Sequence, residues 1–369
     1  MEDTKEVSTL QATSILISTI IGVGVLPLPL FAVQSGDTGA PIVTLSGIVL
    51  AAIGLFILTF LGVRHPQNTI VTYNENIIGK WIGKLCSFIV IIFFFILTGL
   101  AAREFGEVVV AAVLRETPLE VTVIVMLTLA CLSARNNINT FTYIHNFYVP
   151  VILAPGLIIV ALSLKNGNIL YLQPLLGSNL QDMFTGMLTI SALFQGSFVM
   201  TMIIPYMKEP KKAMKASFWG IFVSGGLYLL IVIATVSVFG PEEIKQILWP
   251  TLELARTTAV PGNILQRLDV IFLAVWVTAV FTTIFSSYYF TINSIKEVFS
   301  LKDHKMLSYF ILPIVFILAM IPQNLIQMYE IIQFIGKIGL IITIFYPGLL
   351  LLIDIWLSWR RKKSVTQQS

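Results

Sequence analysis

The sequence predicts an all-α polytopic membrane protein with ten transmembrane helices, arranged as two inverted repeats of five. Three observations predict this fold. Apolar residues make up 56% of the 369 residues and charged residues only 11%, whereas ordinary soluble domains carry roughly 25% charged residues. Ten apolar segments follow one another along the chain. The first and the sixth of these segments are interrupted, which gives the two halves matching features.

The ten segments are counted against the roughly 20 apolar residues that one membrane crossing requires. The predicted spans cover about residues 10–34, 40–63, 81–113, 119–132, 141–164, 184–207, 216–239, 265–295, 306–321 and 325–359. We expect no inserted soluble domain. A single transmembrane domain fills residues 1–369, with the two repeats at about 10–164 and 184–359. Because the chain begins with the acidic MEDTKE, we expect the first helix to be retained rather than cleaved as a signal peptide.

Two glycines and two prolines interrupt the first span, within residues 17–31 (ISTIIGVGVLPLPLF). Lipid offers no partner to a free N–H or C=O group, so unwound backbone is tolerated only where protein buries it or where it lines a cavity. Gly22, Val23 and Gly24, followed by Pro27 and Pro29, therefore predict one half of a small-molecule site. The alternative is that the glycines only permit close helix packing, as small residues do in membranes.

The sixth span carries a polar interruption at Phe194, Gln195, Gly196 and Ser197. It lies five spans after the first, and because five is odd, the second set of five enters the membrane inverted. Interrupted segments at matching positions of inverted halves indicate a transporter-like site at the bilayer midplane. A broken helix exposes N–H groups that suit a carboxylate and carbonyls that suit an ammonium group or a cation. An amino acid is therefore the simplest ligand.

The Lys and Arg residues predict that both termini are cytoplasmic. With ten alternating spans, 16 of the 23 basic residues fall on the cytoplasmic side, 5 on the outer side and 2 at membrane depth. The cytoplasmic set is Lys5, Arg64, Lys80, Lys84, Arg135, Lys208, Lys211, Lys212, Lys215, Lys296, Lys302, Lys305, Arg360, Arg361, Lys362 and Lys363. The outer set is Arg115, Lys165, Lys245, Arg256 and Arg267. In the outer loop that follows span seven, residues 241–256 form an amphipathic stretch that is either a lid or an ordinary ordered loop.

Two short motifs resemble a known family. Ser8-x-x-Gln11 followed by IGVGVLPLP at residues 21–29 resembles the opening of the B subunits of GerA-type spore germinant receptors, and YNENIIGKWIGKL at residues 73–85 resembles their loop between spans two and three. That family belongs to the amino acid–polyamine–organocation transporter superfamily, whose LeuT-like fold has broken helices 1 and 6. One departure is Ala40-Pro41, where many relatives have an aromatic residue.

The resemblance implies the function and the partners. It implies a subunit that senses a small nutrient in the inner membrane of a spore, together with a larger membrane A subunit and a lipoprotein C subunit. Members respond to amino acids, sugars or nucleosides, so the resemblance does not decide the ligand. Sequence leaves three functions open, which are a receptor subunit, an ion-coupled amino acid transporter, and a membrane scaffold with vestigial breaks.

Ionisable side chains at membrane depth are functional candidates because they are costly there. Span three carries Arg103, Glu104 and Glu107, which are candidates for gating or charge relay. A structural ion pair between Arg103 and Glu107, four residues apart, is the alternative. Lys337 in span ten must pair, reach the interface or face a cavity, and Glu330 is its candidate partner.

Hydroxyl groups complete the set of candidates. Thr98 in span three and Thr282 and Thr283 in span eight are candidate ligand contacts. In transporters of this fold, hydroxyls of span eight complete a sodium site with carbonyls of span one. The alternative is that they bond to their own backbone. We expect no enzyme activity, no metal site, no nucleic-acid binding and no cofactor other than a coupling sodium ion or proton. The histidines, including His145 near the start of span five, are not grouped with other residues that could ligate a metal.

Overall fold

The computed structural model describes residues 6–177, 179–258 and 268–366, with side chains up to Arg360. Lys5, Arg267 and the side chains of Arg361, Lys362 and Lys363 lie outside this description. The described residues form fifteen α-helices joined by turns. They are α1 Thr9–Ile20, α2 Leu28–Gly36, α3 Ala40–Arg64, α4 Ile70–Ile78, α5 Lys80–Ala112, α6 Leu119–Ala134, α7 Ile138–Ser163, α8 Leu180–Ala192, α9 Met200–Ile203, α10 Ala213–Ile244, α11 Pro250–Thr257, α12 Leu268–Val298, α13 Lys305–Ala319, α14 Leu325–Leu340 and α15 Tyr346–Thr366.

Six helical stretches are long and apolar enough to cross a membrane, which makes the chain a multi-pass membrane protein. They are Leu28–Arg64, Lys80–Ala112, Ile138–Asn166, Pro210–Ile244, Leu268–Val298 and Leu325–Arg360. A bent pair, Leu180–Ala192 with Gln195–Tyr206, makes a seventh if it is one span. Three shorter apolar helices are α1, α6 and α13. Helix therefore occupies all ten predicted segments, while ten membrane crossings stay a prediction. The difference arises because the two interrupted spans consist of short pieces, and because α6 and α13 have only 16 and 15 residues.

The chain enters α1 through a hydrogen-bonded cap that its sequence specifies. Ser8 and Gln11 form a capping box, in which Gln11 N–H donates to Ser8 Oγ at 3.3 Å and Ser8 N–H donates to Gln11 Oε1 at 2.9 Å. This arrangement satisfies two N–H groups that a helix N-terminus leaves free. Val7 pairs with the backbone of Tyr206 and Lys208 on either side of Met207. The start of α1 is thus fixed to the chain that follows α9.

Helix α1 is the central element of the bundle. Every residue from Ala12 to Ile20 is buried, and the helix packs against α7, α10 and α12. A helix that is buried all round needs apolar residues on every face, and the sequence TLQATSILISTI supplies them with short hydroxyl side chains between. Because α12 also packs against α5, α6 and α7, the first and eighth predicted spans together form the core around which the others lie.

Polar contacts connect several helices on the side of the molecule that contains the start of α1 and the end of α15. Arg64 Nε lies 2.5 Å from Asp354 Oδ2, which joins the end of α3 to α15. His304 donates from Nε2 to Asn136 O at 3.3 Å. At the opposite end, Gly240 adopts a left-handed φ of 74° that only glycine takes up readily, so α10 turns there before Pro241. A π-helical stretch, Ile341–Phe345, joins α14 to α15.

Candidate functional site

The first predicted helix break is present in the structure. Helix α1 ends at Ile20, one 3₁₀ turn covers Val23–Val25, and α2 begins at Leu28. Pro27 occupies the N-cap of α2, and Pro29 lies in its first turn. Proline is tolerated at these positions because the first N–H groups of a helix have no intrahelical acceptor. The prolines therefore restart the helix that the glycines interrupt.

The last carbonyl groups of α1 all accept side-chain hydrogen bonds. Ser18 O accepts from Thr282 Oγ1 at 2.7 Å, and Thr19 O accepts from Thr283 Oγ1 at 3.0 Å. Ile20 O accepts from the hydroxyl of Tyr228 at 2.8 Å. These bonds satisfy the carbonyls that a helix C-terminus leaves free. The expectation that the carbonyls of this break are unpaired is therefore wrong, and binding of an ammonium group at the break stays a prediction.

The amide groups of the break are arranged differently. The Gly22 N–H is directed at the Tyr228 hydroxyl, but no acceptor is found in the described part of the chain for the N–H groups of Val23 and Gly24. These two precede the N-terminus of α2, where the helix dipole favours negative charge. A Cβ atom added at Gly22 would overlap Thr283 Oγ1, so this position needs glycine for the hydroxyl to reach Thr19 O. The break thus keeps its potential to bind an anion.

The second predicted break is a bend rather than an unwound segment. Helix α8 ends at Ala192, the chain continues as a 3₁₀ stretch over Gln195–Val199, and the two parts meet at 43°. Gln195 donates from Nε2 to Gly336 O at 2.5 Å, which joins the bend to α14. A Cβ atom added at Gly196 would lie 3.0 Å from Thr19 O. The missing side chain therefore lets the two breaks touch.

A cavity of about 120 Å³ lies between the two breaks. By the volume that one water needs, it has room for roughly eight to twelve water-sized groups. Mostly apolar side chains line it, together with a few hydroxyls, two glutamines and one glutamate. The lining residues are Thr19, Ile20, Val23, Gly24, Pro27, Phe31, Phe94, Leu97, Leu100, Ala101, Glu104, Thr189, Ala192, Leu193, Gln195, Gly196, Val199, Thr283, Ser286, Ser287, Phe290, Ile332, Gln333 and Gly336.

Five of the ten predicted ligand contacts line this cavity. They are Val23, Gly24, Gln195, Gly196 and Thr283. They come from three elements far apart in sequence, the two breaks and α12. The sequence patterns that selected them therefore converge on one space, and their binding role stays a prediction.

The other five predicted contacts lie behind the cavity wall. Thr98 donates to the carbonyl of Phe94, one helical turn earlier. Thr282 bonds to the carbonyls of Ser18 and Ala279. Phe194 packs edge-to-face against Tyr228, with ring centroids 5.2 Å apart, while Gly22 and Ser197 are absent from the lining. Thr98 therefore bonds to its own helix, as the alternative predicts, whereas Thr282 contacts both its own helix and the end of α1.

The three charges of span three separate into a pair and a single carboxyl group. Arg103 Nη2 lies 2.8 Å from Glu107 Oε1, and the arginine Nη1 donates to Ala319 O at 3.5 Å. This is the structural ion pair that the spacing of four predicts. Glu104 points elsewhere and lines the cavity, where its Oε1 accepts from the hydroxyl of Tyr329 at 3.2 Å. Glu104 is thus the one ionisable side chain in the described lining.

Lys337 does not face the cavity. Its neighbour Gly336 lines the cavity and bonds to Gln195, but Lys337 itself is exposed on the outer face of α14. Within the described residues, Lys337 forms no ion pair, and the predicted pair with Glu330 is not formed. Successive residues of a helix point about 100° apart, so one turn of α14 presents Gly336 inward and Lys337 outward.

Aromatic side chains pack near both ends of the cavity. Towards the termini, Phe94 packs against Phe290 at 4.7 Å and against Phe198 at 5.2 Å between ring centroids. Towards the opposite end, Trp249 donates from Nε1 to the hydroxyl of Tyr329 at 2.8 Å, which connects the loop before α11 to Glu104. The cavity therefore lies between two groups of aromatic side chains.

Helix α11 explains the amphipathic pattern of residues 241–256. Thr251 donates from Oγ1 to Val25 O at 2.7 Å, and its backbone N–H reaches Leu26 O at 3.5 Å. Leu252, Leu254 and Ala255 are buried. The apolar face of this helix therefore packs on the protein, directly over the first break.

Several lining residues were not among the predicted contacts. Three of them follow the predicted contact Thr283 on α12 at spacings of three, four and seven, namely Ser286, Ser287 and Phe290. This spacing is the pattern of one helix face. That spacing is visible in the sequence and is the signal that selects Ser286 and Ser287. Thr19 has no such signal, because its role depends on contacts with α12.

Comparisons with known proteins agree with this geometry. A family model described as "Spore germination protein" matches residues 6–328. The spore germination protein YndE of Bacillus subtilis (strain 168) is 29% identical over 356 residues, covering 96% of this chain and 97% of its own. Spore germination protein B2 of the same strain is 26% identical over 358 residues, covering 96% and 95%.

Among solved structures, the chain is similar to Mhp1, a nucleobase-cation-symport-1 family transporter in a closed conformation with bromovinylhydantoin bound. The TM-score is 0.60 over 92% of this chain and 77% of that one, at 15% sequence identity. A likeness at this identity concerns the fold alone. The helices therefore adopt the fold of a transporter.

Proposed function

The chain belongs to the spore germination protein family, and from that premise we propose that it senses a nutrient as the B-type subunit of a spore germinant receptor. The ligand is a small molecule, most simply an amino acid, bound at the membrane midplane. The observation that carries the proposal is the cavity of about 120 Å³ between two helix breaks, with a single carboxyl group in its described lining.

The polar groups of the cavity suit a zwitterion. The N–H groups of Val23 and Gly24 precede a helix N-terminus and would hold the carboxylate. Glu104 would hold the ammonium group in place of the α1 carbonyls, which already accept hydroxyl hydrogen bonds. The apolar remainder of the lining would contact a small side chain. The volume admits a small amino acid rather than a large one.

The same proposal includes a topology. We propose ten crossings in a five-plus-five inverted repeat, with both termini in the cytoplasm and the protein in the inner membrane of the spore. Support comes from the breaks, which lie in the first and sixth predicted spans. Further support comes from the polar contacts between predicted cytoplasmic segments, such as Arg64 with Asp354. In this topology α11 and Trp249 cover the outer end of the cavity.

The proposed partners are a membrane A subunit and a C lipoprotein. Lys337 supports a protein contact on this side of the bundle, because it is exposed at the level of the cavity. A charged side chain at the centre of a bilayer costs about 2.5–3.5 kcal/mol by insertion measurements. An acidic side chain on a helix of the partner subunit would remove much of that cost. Ligand binding would then be signalled through this contact.

An ion-coupled amino acid permease is the second candidate, because the fold neighbour Mhp1 is a transporter. Receptor and transporter differ in the step after ligand binding. A transporter opens its cavity alternately to both sides and accumulates its substrate in vesicles. A receptor binds the same ligand without sustained uptake.

The test uses the full chain, reconstituted in liposomes with its partner subunits. Binding of the common amino acids, one at a time, is measured by thermal shift and then by calorimetry. We compare the wild-type chain with Gly24→Trp, which fills the cavity. Gly348→Trp is the matched control, since a Cβ atom there meets nothing within 4 Å.

Binding that is lost in Gly24→Trp and kept in Gly348→Trp supports the site. An unchanged ligand response in Gly24→Trp would contradict it. Gradient-driven uptake of the bound amino acid into the liposomes would favour the permease over the receptor.

A further inference from the structure

A buried histidine is connected to the cavity by hydrogen bonds. His145 is fully buried, although it lies near the start of α7. Its Nε2 is 3.1 Å from Ser286 Oγ, and Ser286 Oγ is 2.7 Å from Thr19 Oγ1. On the other side of the ring, Nδ1 is 2.6 Å from Ser18 Oγ. Because Thr19 and Ser286 line the cavity, two hydroxyl groups separate the imidazole from the ligand space.

The direction of each hydrogen bond in our proposal starts from Ser18 as a donor to its own helix. Ser18 Oγ donates to the carbonyl of Ser14 at 2.8 Å, so its lone pair accepts from His145 Nδ1–H. The neutral ring then has a free lone pair at Nε2, which accepts from Ser286 Oγ. Ser286 in turn accepts from Thr19. In this arrangement the Thr19 hydroxyl donates its hydrogen bond to Ser286 and presents only oxygen lone pairs to the cavity.

We propose that His145 is a proton-binding site coupled to the cavity through Ser286 and Thr19. When a hydronium ion in the cavity gives its proton to Thr19 Oγ1, the hydroxyl proton of Thr19 passes to Ser286 and that of Ser286 passes to Nε2. A water molecule remains in the cavity, and the ring carries one positive charge with an N–H at each nitrogen. Both hydroxyls have reversed direction, so Thr19 now donates into the cavity.

The reversal has a consequence for the ligand. In the neutral state the wall at Thr19 accepts hydrogen bonds, and in the charged state it donates one beside a new positive charge. A carboxylate is favoured by the second state and disfavoured by the first. Proton uptake and binding of an anionic group therefore favour each other, and by linkage the coupling is the same in both directions.

Two aromatic side chains flank the ring. Phe285 stacks on the imidazole at 5.6 Å with an interplanar angle of 6°, and Phe141 lies 4.3 Å away. Aromatic faces stabilise a cation by the attraction of their quadrupole. The titratable groups on neighbouring elements are Glu104 on α5 across the cavity, Tyr228 on α10 and Tyr289 on α12. No ion pair joins the ring to a charged side chain among the described residues.

The hydrogen bonds of the ring lie at the seam between α1 and α12. The carbonyls of Ser18 and Thr19 accept from Thr282 and Thr283, and the imidazole bonds to both helices. The coupling to an amino acid rests on the function proposed above, whereas the proton site itself rests on the hydrogen bonds alone.

The first test needs no ligand. The chain has three histidines, so the variant His65→Gln/His304→Gln leaves His145 as the only one. Nitrogen NMR of ¹⁵N-histidine-labelled protein in liposomes distinguishes the two neutral tautomers and the imidazolium. We expect the Nδ1–H tautomer at neutral pH, and a dominant Nε2–H tautomer would overturn the proposal.

A second comparison places a carboxylate at the end of the hydroxyl chain. In the same background, Thr19→Asp should raise the imidazolium fraction above that of Thr19→Asn, which has nearly the same shape without the charge. Equal imidazolium fractions at every pH would overturn the coupling between the cavity wall and His145.

A third measurement adds the ligand, using the common amino acids one at a time. Uptake of one proton per bound ligand gives an affinity that rises about tenfold per unit fall in pH, and His145→Gln should remove this dependence. Binding that is intact but independent of pH overturns the proton coupling and leaves the proposed function standing. The expected NMR results without binding of any amino acid support the proton site and count against the proposed ligand.

Discussion

The substitution Tyr228→Phe removes a hydroxyl that contacts the first helix break twice, at Ile20 O and at the Gly22 N–H. The Tyr228 hydroxyl donates to Ile20 O at 2.8 Å, and both residues are buried. Phenylalanine keeps the ring and its edge-to-face contact with Phe194, so the change removes one oxygen atom and leaves the packing. The carbonyl of Ile20 then ends α1 without a donor.

The expected loss follows from the cost of an unsatisfied buried group. A buried acceptor left without its partner costs about 1–3 kcal/mol, and hydrogen bonds between membrane helices average about 0.6 kcal/mol with a maximum near 1.7. We therefore expect Tyr228→Phe to lower the free energy of unfolding by about 1–2 kcal/mol. Because the break also forms the cavity wall, ligand affinity should fall in the same variant.

The assay is reversible unfolding in mixed detergent micelles, followed by circular dichroism. Tyr143→Phe is the matched control, because that side chain is 66% exposed and its hydroxyl has no hydrogen bond within the described residues. A loss in Tyr228→Phe that does not exceed the loss in Tyr143→Phe would refute the argument that side-chain hydroxyls stabilise the end of α1.

Three further predictions concern the charged residues. Arg103→Met should lower stability by about 3–5 kcal/mol, since it leaves Glu107 without its partner, and the double variant Arg103→Met/Glu107→Leu should recover most of the loss in the same unfolding assay. If the double variant is as unstable as the single one, the pair is not the cause. Glu104→Gln should weaken binding of an amino acid at least about tenfold, as expected for a lost charge-assisted hydrogen bond, while the matching carboxylic acid without an ammonium group binds unchanged in calorimetry. Equal losses for both ligands would remove Glu104 from the ammonium site. Lys337→Leu should leave the isolated chain at least as stable, since it removes a charge from the membrane face, and should reduce co-purification of the partner subunit; undiminished assembly would contradict the contact.

The helix breaks could be predicted because their causes are local. Glycine and proline act on the backbone at their own positions, so Gly22, Gly24, Pro27 and Pro29 predict where α1 stops and α2 starts. The Arg103–Glu107 pair was equally accessible, because a spacing of four residues places two side chains on one helix face whatever lies around them.

The contacts within the cavity wall could not be predicted in the same way. His145 meets Ser18 and Ser286 across sequence separations of 127 and 141 residues, so no window of sequence contains the cluster. The hydrogen bonds to the carbonyls at the end of α1 could not be predicted for the same reason, since their donors belong to α10 and α12. The orientation of Lys337 could not be predicted either. A shift of one residue along a helix turns the side chain by about 100°, which is enough to move it from the cavity to the membrane face.

The hydrogen bonds from Thr251 to Val25 and Leu26 link a surface helix to the deepest part of the fold. On the same short helix, Arg256 has a side chain that is 43% exposed. A fluorescent reporter attached near Arg256 would therefore lie on the helix that is hydrogen-bonded to the backbone bordering the cavity. Under the proposed function, this position would be an attachment point for an optical readout of the occupied and empty states, and the chain would be a starting scaffold for a nutrient biosensor.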